Sequence, residues 1–138
     1  MDNFISVKIK SDIINVKKIR NIAAIFVVDS DPNIHIINEI KTILSEAVTN
    51  AIIHGYDNDL NRYVTVNLMQ EDNILTMEII DNGKGIENLE LALKPMYTTK
   101  DDDERSGLGF TIMQVFSDDF KIISDSCGTK ITITKNLA

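Results

Sequence analysis

Two hydrophobic periods alternate along this chain, and each change of period restricts the folds open to it. Ile5, Val7 and Ile9 alternate with Ser6, Lys8 and Lys10, the twofold period of a strand with one face on a core. From Asn15 the spacing lengthens: Val16, Ile19, Ala23, Phe26 and Val27 recur at three and four residues and trace the apolar stripe of a helix. The 29–32 segment should end it. A longer helix is predicted over 34–54, with Ile37, Ile40, Leu44, Ala47, Val48 and Ala51 on its buried side and Gly55 as its stop. Period two then returns in Val64, Val66 and Leu68 and again in Leu75, Met77 and Ile79, a hairpin. A last helix over 106–116 precedes two short strands, 120–124 and 130–134, joined by a Cys127-Gly128 turn.

Residues 81–106 interrupt this regular pattern. They are rich in Gly, Asp, Lys and Thr, and only 89–93 shows a weak helical spacing. A connection of that length is uncommon in a small domain unless it binds something or closes over a site. The order strand, helix, helix, strand, strand, loop, helix, strand, strand predicts a two-layer α/β sandwich: a mixed β-sheet with helices on one face, built as one domain from residues 1–138. The loop and the helix ends beside it form the natural ligand mouth.

Charge narrows the partners. Against 14 Lys plus Arg stand 21 Asp plus Glu, a formal charge of -7, which disfavours a nucleic-acid groove and direct DNA binding. Proteins, or small ligands held by backbone donors, are the expected partners. The longest apolar run, 22–28, is far too short to cross a bilayer, so no membrane association is expected. The opening MDNFISVKIKSD lacks an apolar signal core and Cys127 has no second cysteine to pair with, which together predict a cytoplasmic protein.

Three segments carry the chemistry. Glu46 and Asn50, four apart on the long helix, project from one face, opposite the apolar stripe. A solvated helix face explains any such pair unless another element brings a ligand to it. DNGKGI, Asp81 to Ile86, follows a predicted strand; Gly83 and Gly85 permit positive φ and let a ligand approach the backbone, while the Asp81 carboxylate can accept from an amino group such as that of adenine. A plain Asp-Asn-Gly turn explains this segment equally well. RSGLGF, Arg105 to Phe110, places Gly107 and Gly109 at a helix start, where unpaired amides and the helix dipole suit a polyphosphate. Two glycines there are otherwise unfavourable by on the order of 1 kcal/mol each against alanine. The chain has no GxxxxGK[ST] segment, which excludes a P-loop. His35 and His54 lie in no phosphoacceptor helix pair, and a helix C-terminal role suits His54.

In order and spacing, SEAVTNAIIHGY, DNGKGI, RSGLGFTIM and the closing GTKITITK resemble the N, G1, G2 and final Gly-Thr boxes of the GHKL (Bergerat-fold) ATP-binding superfamily. With PMYTTK, the chain is most similar to its anti-sigma F serine-kinase group. The resemblance spans almost the whole chain and implies ATP/ADP and Mg2+ as cofactors. It implies Asn50 as ligand of the magnesium ion and Glu46 as general base on an attacking serine hydroxyl, side by side as phosphoryl transfer requires. Asp81 would bind the adenine amino group, Gly83, Gly85 and Ile86 would shape the pocket floor, and Thr129 would support Asp81. Arg105, Ser106, Gly107, Leu108 and Gly109 would wrap the triphosphate, and Thr98, Thr99 and Lys100 would belong to a lid. Arg20 would contact a protein partner. The implied partners are a sporulation sigma factor, an anti-anti-sigma protein carrying the acceptor serine, and a second copy of the chain through the sheet region. A nucleotide-gated binding module without kinase activity, or a kinase acting on a stress-response sigma factor, shares the same boxes.

Overall fold

The computed structural model describes residues 2–94 and 108–138. Strand β1 (Asp2–Lys10) leads into α1 (Ile14–Phe26), a 3-10 turn (Val28–Ser30) and α2 (Ile34–Asn50), which continues as a π turn (Ala51–Gly55). The hairpin β2 (Tyr63–Glu71) and β3 (Ile74–Asp81) follows, then the short α3 (Leu89–Ala92), α4 (Leu108–Phe116), β4 (Asp119–Asp125) and β5 (Gly128–Asn136). Every element expected from the periodicity is present, with strands one to three residues longer at each end than the apolar cores that announce them. Asn33 caps α2, its side chain accepting from the Ile36 amide at 3.0 Å.

The two-layer α/β class stands, but the sheet is antiparallel at every pairing rather than mixed, in the order β1-β2-β3-β5-β4. Two helices separate β1 from β2, and with a reversal at each of the three junctions the chain returns antiparallel. The crossover through α4 does bring β4 parallel to β3. β5 then turns back between them and pairs with both, which removes the parallel neighbour that a strand-helix-strand order suggests.

One sheet face supplies Val64, Val66, Leu68, Leu75, Met77, Ile79, Ile131 and Ile133 to the core, and α1, α2 and α4 cover it with Ile19, Ala23, Ile40, Leu44, Ala47, Val48 and Met113. On α2 the stripe is rotated slightly from expectation: Ile36 and Ile43 are buried while Ile37 is only half-buried. The opposite face carries a polar row. Ser6 Oγ donates to Asn67 Oδ1 at 2.6 Å, Asn67 Nδ2 to Glu78 Oε1 at 3.1 Å, and Lys130 Nζ lies 3.0 Å from Glu78 Oε2. Among the described residues no helix is long and apolar enough to cross a membrane.

Candidate functional site

Helix α2 forms a common wall for the predicted site. On its outward side Glu46 and Asn50 are both half-buried. A Cβ built on Gly109, in the first turn of α4, would stand 3.1 Å from Glu46 Oε2, so the glycine leaves room for that carboxylate. Directly after Asn50 the C-terminal end of α2 widens into the π turn, where the Tyr56 amide donates to the Ala51 carbonyl at 3.0 Å. The α-helix thus ends at Asn50, four residues before the predicted last residue His54, which lies in the last turn of the π segment that runs to the predicted stop, Gly55.

The π turn aims the Gly55 carbonyl at the segment after β3, where it accepts from the Lys84 amide at 3.1 Å. The approach is close: a Cβ on Gly83 would lie 2.1 Å from Gly55 O, and one on Gly55 would lie 3.0 Å from Asp81 Oδ1. Gly85 adopts φ +78 with its α-carbon facing the Asp125 carbonyl, a place that only glycine fills without strain. Ile86 is fixed through its amide, which donates to Ser124 Oγ at 2.8 Å, and Ser124 in turn shares a 2.8 Å hydrogen bond with the hydroxyl of Thr129.

Asp81 is the electrostatic centre of this end. It is buried, with 6% of its surface exposed, at the β3 terminus opposite Thr129 in the β3–β5 register. Burial pushes its carboxyl above the ordinary range, against the backbone hydrogen bonds of Gly83 and Thr129 and the positive charge of Arg62. An ionised carboxylate with two amide donors keeps further lone pairs for a ligand amino group. As an acceptor the Asp81 carboxylate therefore fits the amino group of an adenine base. Among the described residues no cluster of three or more His, Cys, Asp or Glu could hold a metal by itself, so a magnesium ion here fits Asn50 only together with phosphate oxygens.

The structure thus brings Glu46, Gly109 and the start of α4 together, and separately Asp81, Gly83, Gly85, Ile86 and Thr129. Leu108 is the first residue of α4. Thr98, Thr99, Lys100, Arg105, Ser106 and Gly107 lie outside the described residues. Arg20 is half-buried on α1, beside the buried Ile19. Sequence reasoning missed Gly55, Tyr56, Arg62 and Ser124. Gly55 and Tyr56 stand inside the SEAVTNAIIHGY string, a signal that could have been used; Arg62 and Ser124 reach the site only through tertiary contacts.

A family model described as a histidine kinase-like ATPase domain matches residues 9–135. The anti-sigma F factor of Bacillus licheniformis is 50% identical over 116 residues, 83% of this chain and 80% of that protein. That of Caldanaerobacter subterraneus is 42% identical over 135 residues, 97% of this chain and 94% of its own length. The fold recurs in solved structures. The RsbU and RsbW domains of a Mycobacterium tuberculosis protein match with TM-score 0.72 at 18% identity over 98% of this chain, which spans 32% of that one. The mycobacterial sensor histidine kinase MprB matches with TM-score 0.60 at 17% identity, covering 96% and 97% of the two chains. A chain with these boxes, this sheet and these relatives belongs to the histidine kinase-like ATPase domain family, in its anti-sigma F factor branch.

Proposed function

We propose that this chain is an ATP-dependent protein serine kinase that also holds a sporulation sigma factor inactive, and that it phosphorylates an anti-anti-sigma protein on serine while acting as a homodimer. One observation carries the reading. A single helix meets the first turn of α4 at Glu46 and meets Asp81 at Gly55. Those two points lie about 13 Å apart along the axis. That span suits a nucleoside triphosphate laid along α2, base at Asp81 and γ-phosphate at Glu46. Relatives named anti-sigma F factor support the partner class.

The chain's own groups divide the work. Asp81 accepts a hydrogen bond from the adenine amino group, with Thr129 and Gly83 holding its carboxylate, and Ile86 with the two glycines forms the floor. Asn50 would hold the magnesium, and Arg105, Ser106, Gly107, Leu108 and Gly109 would line the phosphates. Thr98, Thr99 and Lys100 would cover them. Bound magnesium supplies charge neutralisation on the phosphates. Glu46 takes the proton of the acceptor serine as its oxygen bonds to the γ-phosphorus and the bond to the bridging oxygen of ADP breaks. Arg20 on α1 would face a protein partner.

Incubation with ATP, magnesium and the anti-anti-sigma protein, followed by mass spectrometry, should find phosphoserine on that protein. Retained ADP binding with no transfer would remove the kinase half and leave a nucleotide-gated binding module. Pull-down of the sigma factor in ATP and in ADP tests the other half, which fails if neither nucleotide state retains it.

A further inference from the structure

The loop between the π turn and β2 does more than connect them. Asn82, between Asp81 and Gly83, has its peptide groups gripped from two sides. Its N–H donates to the Tyr56 hydroxyl at 2.7 Å, and that hydroxyl donates to the Tyr63 carbonyl at 2.5 Å. Its carbonyl accepts from Arg62 Nη2 at 2.6 Å, and the same guanidinium lies over the Tyr56 ring, 4.6 Å from the centroid. Tyr56 is buried, at 5% exposure.

Arg62 is itself anchored. The fully buried Ser11 donates its amide to the Arg62 carbonyl at 2.9 Å and its hydroxyl accepts from the Arg62 amide at 3.2 Å, while also bonding the Asp59 carbonyl. Asp57 and Asn58 both take left-handed backbone conformations, φ 50 and 63, to turn the chain back across Tyr56. On the far side Lys84 pairs with Asp57 at 3.2 Å. The loop is a collar around the turn that presents Asp81, and Arg62 also adds a positive charge favouring its ionised form.

We infer that Tyr56 and Arg62 are positioning residues for base selection: by holding both sides of the Asn82 peptide they aim the Asp81 carboxylate at the amino group of a purine. The inference rests on the nucleotide-binding reading above. Hydrogen-bond donors and acceptors select a base only when held to within fractions of an ångström, and Asn82 joins Asp81 to a glycine, Gly83, beside which its peptide would otherwise pivot.

Calorimetric titration of the full chain with magnesium and either ADP or inosine diphosphate, which carries an oxo group where adenine carries its amino group, tests it. Wild type should prefer ADP. Tyr56→Phe, which keeps the ring, and Arg62→Ala should each weaken ADP binding on the order of tenfold, the factor that loss of one good hydrogen bond carries. Inosine diphosphate affinity should change less than about twofold on the same basis, so the preference shrinks. A purely structural role would lower both affinities together, and variants that keep the wild-type preference overturn the inference. Wild type that binds neither nucleotide overturns the nucleotide reading and this inference with it, whereas wild type that binds both equally overturns the inference alone. Should Tyr56→Phe not fold, Arg62→Ala decides, since that side chain is half-buried.

Discussion

At the residue scale, two carboxylates on β3 titrate in opposite directions because they sit on opposite faces of the sheet. Burial dominates at Asp81 and raises its pKa. At Glu78 burial also works upward, but the hydrogen bonds from Asn67 and Lys130 outweigh it and hold the carboxyl below its ordinary value. The signs of their linkage therefore differ. Asp81 contributes stability that is fully present below the unfolded carboxyl pKa and is lost as pH rises through its raised folded value. Glu78 contributes stability present above the unfolded pKa and lost as pH falls through its depressed one. Thermal unfolding of Glu78→Gln should show a loss of about 1 kcal/mol or less at pH 7 that disappears as pH falls through the depressed Glu78 value, whereas Asp81→Asn should hold or gain stability at pH 7 while ADP affinity collapses. Equal pH profiles for the two variants would contradict this assignment. Glu46 offers a separate test, because Glu46→Gln keeps the size of the side chain beside Gly109 and removes only the base. Transfer should fall by roughly 10²- to 10⁴-fold with ADP affinity unchanged; transfer within a few fold of wild type would exclude Glu46 as base.

At the scale of elements, α4 is fastened by one buried cation. Lys135 on β5, 8% exposed, donates to the Phe116 carbonyl at 2.6 Å and pairs with Glu39 of α2 at 3.3 Å, tying the end of α4 to the middle of the helical layer. Lys135→Met fills similar space but leaves Phe116 O and the Glu39 carboxylate without their cation. Urea titration should show a loss of about 1–3 kcal/mol; a midpoint within error of wild type would mean that the staple holds nothing. The elements themselves were legible in the chain because their signal is local: alternation at Val64 and Leu75, three-four spacing through Leu44 and Val48, and the Glu46–Asn50 offset all survive without tertiary context. What escaped depends on distant partners. The π turn exists because Gly55 must approach Gly83 and Lys84, the antiparallel register because β5 returns between β3 and β4, and the Tyr56–Arg62 collar because the buried Ser11, near the start of the chain, fixes a loop that the sequence presents only as a polar connection.

At the scale of the whole molecule, the sheet leaves one broad face outside the helical layer and β1 at its edge, as the alternation of Ile5, Val7 and Ile9 suggested. Phe4 stands on that face, 56% exposed, beside the polar row of Ser6, Asn67, Glu78 and Lys130. If the proposed homodimer forms through the sheet, Phe4→Glu should raise its dissociation constant at least roughly tenfold without lowering the thermal midpoint. Sedimentation equilibrium checks both states, and an unchanged constant would move the interface elsewhere.

The placement of β5 between β3 and β4 also sets an order of assembly in time. A ribosome releases β3 well before β5, so the place between β3 and β4 is the last to be filled, and until residues 128–136 emerge the Asp81 carboxylate has no Thr129 amide. A growing chain should gain nothing from cellular ATP. Nascent chains stalled before residue 128 should be digested equally fast with and without ADP, and released full-length chains should be protected by it; protection of the stalled chain would show that the pocket closes without its last strand.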